Sequence, residues 1–185
     1  MADAAVRPAL VSDAPEIARI QLVTWQTAFE GLLPPDVLAG FSVEDATEQW
    51  AQTIAQGPAT VVVATEGEWL VGFCVAGPSP ESESATANDL PVEDAATVAL
   101  VGTILVEPRW GRRGHGGRLL AAATTAVRAG GSTRGISWVP ERTKSLVAFF
   151  QRAGWTPDGI VRTLDAGGTP LREVRLTGTL DLAVE

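Results

Sequence analysis

Apolar residues recur at helical spacing in the first third of the chain. They form stripes over residues 13–31 and again over residues 42–57, and a short strand pattern over residues 5–10 comes first. Asp13 stands where a capping side chain is favoured, and Glu16 lies three residues later, where it can reach back to the open amides. The pattern therefore predicts one strand followed by two helices.

The middle of the chain changes from helical spacing to strand patterns. Residues 60–65 and 68–77 flank a two-residue turn and predict a β-hairpin. Residues 78–94 carry five acidic residues, three prolines and no basic residue, so they predict a solvated loop. Residues 95–108 are rich in β-branched side chains and nearly uncharged, which predicts a long strand buried on both faces.

Helices and strands continue to alternate toward the C-terminus. A glycine-rich stretch precedes a helix that ends at Gly130. After it the pattern predicts a strand, a helix and two further strands, over residues 134–139, 142–154, 159–164 and 170–180. Helices before, between and after the strands of one sheet predict a mixed α/β fold. No repeat or linker interrupts the pattern, so we expect a single domain over residues 1–185.

Composition narrows the classes of function. The 185 residues are 45% hydrophobic and 19% charged, as is typical of a globular protein. A net charge of −8 disfavours bulk attraction to nucleic acid or to anionic lipid. The single cysteine, Cys74, excludes an intrachain disulfide and fits a reducing compartment. With no signal-peptide pattern and no apolar run of about 18 residues, we expect a cytoplasmic protein that binds neither membrane nor nucleic acid.

The stretch RWGRRGHGG, residues 109–117, concentrates arginine and glycine in this acidic chain. It lies between a predicted strand and a predicted helix, whose first amides lack partners and whose dipole favours an anion. The glycines of 114–117 allow close approach to the backbone, and Arg112 and Arg113 offer donors for phosphate oxygens. The spacing fits neither the P-loop nor the Rossmann fingerprint. Judged by glycine content alone, an ordinary turn with exposed arginines is an equally good interpretation.

The surrounding segment ILVEPRWGRRGHGGRLL, residues 104–120, resembles motif A of the GNAT superfamily, the GCN5-related N-acetyltransferases. The V-x-P, G-x-G and Leu-Leu elements of that motif fall at residues 106–108, 114–116 and 119–120. The segment LVAFFQRAGWTPDG, residues 146–159, is similar to the family's A-x-x-F-Y-x-x-x-G-F pattern. VRPALVSDAPEIARI and TWQTAFEGLLP resemble the first strand and the substrate-side helices of one bacterial branch, so the resemblance covers nearly the whole chain.

This resemblance implies a mostly antiparallel sheet whose central strands splay apart at motif A and admit acetyl-CoA. It implies direct attack by a neutral amine of a small molecule or peptide, with no metal and with an oxyanion held by main-chain amides near Leu105. His115 would pack at the helix start. The implied coenzyme-binding residues are Ile104, Leu105, Val106, Arg112, Arg113, Gly114, His115, Gly116, Gly117 and Thr143.

Four functional positions depart from the family pattern. Phe150 replaces the usual tyrosine acid, Thr143 the usual asparagine, Leu100 a glutamate and Gly111 a glutamine or arginine. Phenylalanine donates no proton, so tyrosine-mediated acid catalysis is excluded. The departures leave two interpretations open: an acetyltransferase with another proton donor, and a coenzyme-binding module of the same fold that no longer turns over.

Other groups are candidates for the missing proton transfers, and the catalytic residues remain unknown from the sequence. Ser145 and Cys74 are alternative donors, although a lone cysteine in GFCVAG is also typical of a packed core. Water can protonate a thiolate whose thiol has a pKa of about 8.5. Glu93 and Asp94 are candidate bases acting through water, or part of a solvated loop.

The acceptor side is predicted less sharply. Trp25, Phe29 and Trp138 occupy positions that in the resembling branch line the acceptor pocket, although aromatic residues in such places more often pack in the core. The five acidic residues of 78–94 favour a cationic acceptor, such as a primary amine or a basic peptide terminus. Edge strands and a C-terminal hairpin are compatible with a homodimer.

Overall fold

A single sheet crosses the computed structural model, which describes residues 3–28, 31 and 34–182. Its seven strands lie in the order β1-β2-β3-β4-β5-β7-β6. All neighbours are antiparallel except β4 and β5, which are parallel. The strands are β1 (Ala4–Pro8), β2 (Thr60–Glu66), β3 (Trp69–Pro78), β4 (Val98–Val106), β5 (Arg134–Pro140), β6 (Thr156–Ala166) and β7 (Thr169–Thr179). The predicted mixed α/β fold with a mostly antiparallel sheet is confirmed.

Helices cover both faces of the sheet. Ile17 and Ile20 of the first helix pack with Phe73 on one face, and Leu119 and Leu120 of the fifth helix pack on the other. The two faces therefore carry separate apolar clusters, with α1 and α3 on one side and α5 and α6 on the other. The helices are α1 (Ala14–Ala28), α2 (Pro35–Ala39), α3 (Val43–Gln56), α4 (Glu81–Ser84), α5 (His115–Ala129) and α6 (Lys144–Arg152).

The start of α1 differs from the sequence prediction. Asp13 ends a short 3-10 turn, and its carboxylate accepts hydrogen bonds from the amide of Leu10 and the guanidinium of Arg7, both at 2.7 Å. Glu16 accepts from Nε of Arg19 at 2.9 Å instead of reaching back to the open amides. The predicted Asp13–Glu16 capping pair is wrong because each carboxylate has an arginine partner.

β4 is the strand that opens the sheet. It pairs with β5 only from Val98 to Leu100. Against β3, its register shifts so that Gly102 is an extra residue, and such a bulge bends a strand. β5 meanwhile stays paired with β7 as far as Pro140. The second half of β4 therefore diverges from β5, and residues 103–106 are only half-buried, so the prediction of burial on both faces holds for the first half alone.

Candidate active site

A pocket of about 230 Å³ occupies the gap where β4 and β5 diverge. α1 contributes Thr24 from one face of the sheet, and α6 contributes three residues from the other, together with Thr143 directly before it. Because its walls come from both faces, the pocket passes through the opened sheet. It is lined by Thr24, Ile104, Leu105, Val106, Thr143, Ser145, Leu146 and Phe149.

The backbone of β4 offers polar groups to this pocket. The amide of Glu107 donates to the carbonyl of Val71 on β3 at 2.9 Å. Backbone groups alternate between the two sides of an antiparallel strand, so Leu105 also turns its amide toward β3. The amides of Ile104 and Val106 face the edge that β5 leaves open. These two amides, one on each side of Leu105 in the sequence, are therefore the donors that this part of β4 can offer to an oxyanion.

The loop before α5 presents a second set of free donors. Within the described residues, no group accepts a hydrogen bond from the amides of residues 112–117. Gly114 precedes the helix with a φ of 80°, and Arg112 has a φ of 63°, so both adopt the left-handed conformation. A Cβ on Gly116 would lie 3.3 Å from the ring of Phe149, which also lines the pocket. The loop and the pocket therefore adjoin.

Glu66, at the end of β2, fixes the side chains of this loop. Its buried carboxylate accepts from Arg113 at 2.7 Å and from Nε2 of His115 at 2.8 Å. A guanidinium nitrogen of Arg118 lies 3.2 Å from the other ring nitrogen of His115. Because a guanidinium only donates, that nitrogen accepts and Nε2 carries the proton. Burial raises the pKa of Glu66, but hydrogen bonds from His115 and Arg113 outweigh it and hold the pKa below its usual value.

Glu107 ties the end of β4 to its surroundings in a similar way. It is buried, accepts a hydrogen bond from Arg19 of α1 at 2.9 Å and forms an ion pair with Arg109 at 2.8 Å. Burial raises its pKa, and the hydrogen bond and charge of Arg19, with the contribution of Arg109, bring the pKa below the ordinary value. The guanidinium groups of Arg109 and Arg113 stack near the ring of Trp110. Neither Glu66 nor Glu107 is marked by any motif in the sequence.

The candidate proton donors are placed very differently. Ser145 and Thr143 line the pocket, whereas Cys74 is fully buried in the cluster under α5, where burial raises the pKa of its thiol to about 12. Phe150 has no exposed surface and packs against Trp155. The hydroxyls of Thr24 and Thr143 are buried and have no hydrogen-bond partner among the described residues. In the sequence, Thr24 is one position within the apolar stripes of residues 13–31 and matches no motif.

Comparison with known proteins identifies the family. The sequence model of the acetyltransferase (GNAT) family matches residues 21–155. The chain belongs to this family. The N-acetyltransferase YuaI of Bacillus subtilis (strain 168), itself uncharacterized, is 24% identical over 172 residues, which cover 92% of this chain and 90% of YuaI. The sequence resemblance to the GNAT superfamily is thus confirmed.

Solved GNAT structures share the fold. The paia N-acetyltransferase of Thermoplasma acidophilum, in complex with coenzyme A, has a TM-score of 0.67 and 12% identity, covering 96% of this chain and 99% of its own. yncA of Salmonella typhimurium, with its cofactor acetyl-CoA, has a TM-score of 0.71 and 14% identity, with coverage of 99% and 97%. The ribosomal-protein-alanine N-acetyltransferase of Brucella melitensis has a TM-score of 0.72 and 18% identity, with coverage of 95% and 99%.

The predicted acceptor residues of this GNAT protein lie in separate places. Trp25 packs edge-on against Phe41 with ring centroids 5.6 Å apart, and Phe29 lies outside the described residues. Trp138 lies on the face opposite α5 and α6, between the guanidinium groups of Arg162 and Arg175 at 4.3 and 5.6 Å from its ring centroid. It lines a second pocket of about 180 Å³ beneath the acidic segment.

The acidic segment over residues 78–94 is only partly free. Glu83 pairs with Arg162 and Asp94 with Arg134, each at 2.7 Å. The hydrogen bonds from Arg134 lower the pKa of Asp94.

In the described part of the chain, no helix is long and apolar enough to cross a membrane, and no group of three or more His, Cys, Asp or Glu side chains is arranged to hold a metal.

Proposed function

We propose that the protein transfers the acetyl group of acetyl-CoA directly to a primary amine of a small molecule or peptide. The observation that carries the proposal is the pocket through the opened sheet, with an adjoining loop of six free amides at residues 112–117. Membership of the GNAT family and the coenzyme complexes of similar folds support acetyl-CoA as the co-substrate.

The residues present fit this co-substrate. A diphosphate can accept hydrogen bonds from the amides of residues 112–117 and from the side chain of Arg112, and the glycines in this stretch let it approach the backbone closely. Ile104, Leu146 and Phe149 provide an apolar passage for the pantetheine arm. Acetyl-CoA supplies the activated thioester when it is bound, and the amides of Ile104 and Val106 are placed to donate to the carbonyl oxygen as charge develops on it.

The acceptor enters from the face that carries α1, because the loop that seats the coenzyme lies on the face of α5. We keep Trp25, Phe29 and Trp138 as the proposed acceptor residues. Glu81, Asp89 and Glu93 make no ion pair within the described residues, and they favour a cationic acceptor. We also propose that the chain is a single domain, that the protein is cytoplasmic and that it forms a homodimer through an edge strand.

The test measures release of coenzyme A from acetyl-CoA, with mass spectrometry of the product, over a panel of amines of positive, neutral and negative charge. We expect transfer, with cationic amines turned over fastest. Equal turnover of all amines contradicts the acceptor preference alone. Uptake of coenzyme A in calorimetry without transfer to any amine contradicts the enzymatic proposal.

A second candidate is a coenzyme-binding module without turnover. The chain contains no tyrosine, and Phe150 stands at the family's acid position with its ring in the core. This candidate predicts tight binding of coenzyme A with background release only, so the same two measurements separate it from the enzyme.

A further inference from the structure

Thr24 differs from other threonines in the helices of this protein. Thr27, Thr47 and Thr53 each donate their hydroxyl proton to the carbonyl four residues earlier, at 3.1, 2.7 and 2.8 Å. Thr24 is 6% exposed, yet its hydroxyl has no partner among the described residues and the residue lines the pocket. A buried hydroxyl without a hydrogen bond is energetically unfavourable. This indicates that an atom of a bound ligand is the hydrogen-bond partner of the Thr24 hydroxyl.

Thr143 shows the same departure from its ordinary role. It occupies the cap position before α6, but its side chain accepts no hydrogen bond from the helix. Ser42, at the corresponding position before α3, accepts from the amide of Asp45 at 3.1 Å. Thr143 lines the same pocket as Thr24, and its hydroxyl is buried with no partner in the part of the chain that the structure describes. A side chain that leaves its helix uncapped is available to a ligand.

Thr24 and Thr143 line the pocket from opposite faces of the sheet. Thr143 directly precedes α6, and Phe149 of that helix lies where a Cβ on Gly116 would approach it within 3.3 Å. Thr24 comes from α1, on the face left open to the acceptor. One hydroxyl is therefore on the coenzyme side of the reacting centre and the other on the acceptor side.

We propose that Thr143 donates a hydrogen bond to the departing sulfur of coenzyme A, and that Thr24 accepts one from the attacking amine and directs its lone pair at the thioester. This inference rests on the proposed function. The nitrogen–carbon bond forms while the carbon–sulfur bond breaks. The amine releases one proton to solvent and the thiolate takes up one from solvent, while Thr143 keeps its own. Thr143 thereby stabilises the leaving group at the site where Phe150 cannot.

The first variant is Thr143→Val, which keeps the shape and removes the hydroxyl. Its readout is the pKa of the bound coenzyme A thiol, followed by thiolate absorbance against pH. Because the wild-type hydroxyl stabilises the thiolate, the variant should raise that pKa and lower kcat about 10- to 100-fold. The KM for the amine should change little. Thr143→Ser should restore both values.

The second variant is Thr24→Val. It should raise the KM for the amine about tenfold and leave the thiol pKa of bound coenzyme A at the wild-type value. Thr24→Ser should restore the KM. Thr53→Val is the matched control, because its hydroxyl is already bonded to the carbonyl of Gln49 and α3 contributes nothing to the pocket lining.

An unchanged thiol pKa and kcat in Thr143→Val overturn the role of Thr143, and an unchanged amine KM in Thr24→Val overturns that of Thr24. Parallel effects of both variants on one parameter contradict the division of roles. If the wild type binds coenzyme A and transfers to no amine, the proposed function fails, while the thiol pKa still decides whether Thr143 contacts the sulfur. Urea denaturation of each variant separates a local effect from loss of folding.

Discussion

At the scale of single residues, the loop before α5 depends on backbone conformations that side chains rarely adopt. Gly114 and Arg112 have φ values of 80° and 63°, and the amides of residues 112–117 have no acceptor among the described residues. Glycine adopts this region without steric cost, whereas a residue with a Cβ does not. Arg112 is therefore strained, and the ion pairs and hydrogen bonds of Glu66 with its neighbours Arg113 and His115 hold the loop in place.

Two glycines of the same loop should respond in opposite ways to alanine. Gly114→Ala forces a Cβ into the left-handed region, 3.2 Å from a guanidinium nitrogen of Arg118, and should lower the free energy of unfolding by about 1–2 kcal/mol. Gly117→Ala, the matched control, has open space and a helical position, and should raise it by about 0.5–1 kcal/mol. Urea denaturation measures both. Equal effects of the two substitutions contradict the conformational argument.

The sequence predicted some of these residues and not others, for a physical reason. The glycines and arginines between a strand and a helix can be recognised in the sequence because the residues of the candidate anion site are neighbours along the chain. Glu66 lies 49 residues from His115, and only the fold brings them together. Thr24 occupies a helical stripe of apolar positions, and nothing in that stripe shows that this residue lines the pocket in the opened sheet.

At the scale of elements, β4 has two halves with different roles. Val98–Leu100 is paired with β5 and carries the core, while Ile104–Val106 lines the pocket with one edge open. Strand patterning predicted the element, but not the bulge at Gly102 or the short pairing, because both depend on which strand lies beside it. Glu107, at the end of this half, connects the strand to α1 through Arg19.

The connection through Glu107 should make stability depend on pH. The folded-state pKa of Glu107 is lowered, so its contribution is complete above the unfolded value of about 4.3 and is lost as the pH falls through the folded value. Glu107→Gln should therefore lower the free energy of unfolding by about 1–2 kcal/mol near pH 7. The difference from wild type should shrink toward zero below about pH 4.

Urea denaturation over this pH range measures the effect of Glu107→Gln. Glu48→Gln, on the exposed surface of α3, is the control and should stay within about 0.5 kcal/mol of wild type at neutral pH. A Glu107→Gln difference that is the same at pH 7 and pH 3 means that the charge of Glu107 does not stabilise the junction.

At the scale of the whole molecule, the sheet separates two approaches to one centre. The loop with the free amides lies on the face of α5, and α1 lies on the other face; Trp138 lines the second pocket together with the acidic segment. The pocket connects them where the strands diverge. Two ligands can therefore meet within the sheet without either blocking the entrance of the other.

This arrangement predicts transfer within a complex that holds both substrates. Cys74 pairs with Ile104 across the strands but is buried and does not line the pocket. The described side chains that line it offer only the hydroxyls of Thr24, Thr143 and Ser145 as nucleophiles, none with a base within hydrogen-bond distance. Double-reciprocal plots of the initial rate against both substrates should give intersecting lines, and coenzyme A should compete with acetyl-CoA but not with the amine.

Parallel lines, together with an acetylated protein that is trapped without amine and seen by mass spectrometry, indicate instead that the acetyl group is first transferred to the enzyme. In that case Ser145→Ala identifies the carrier, since it abolishes the acetylated species only if Ser145 bears the acetyl group.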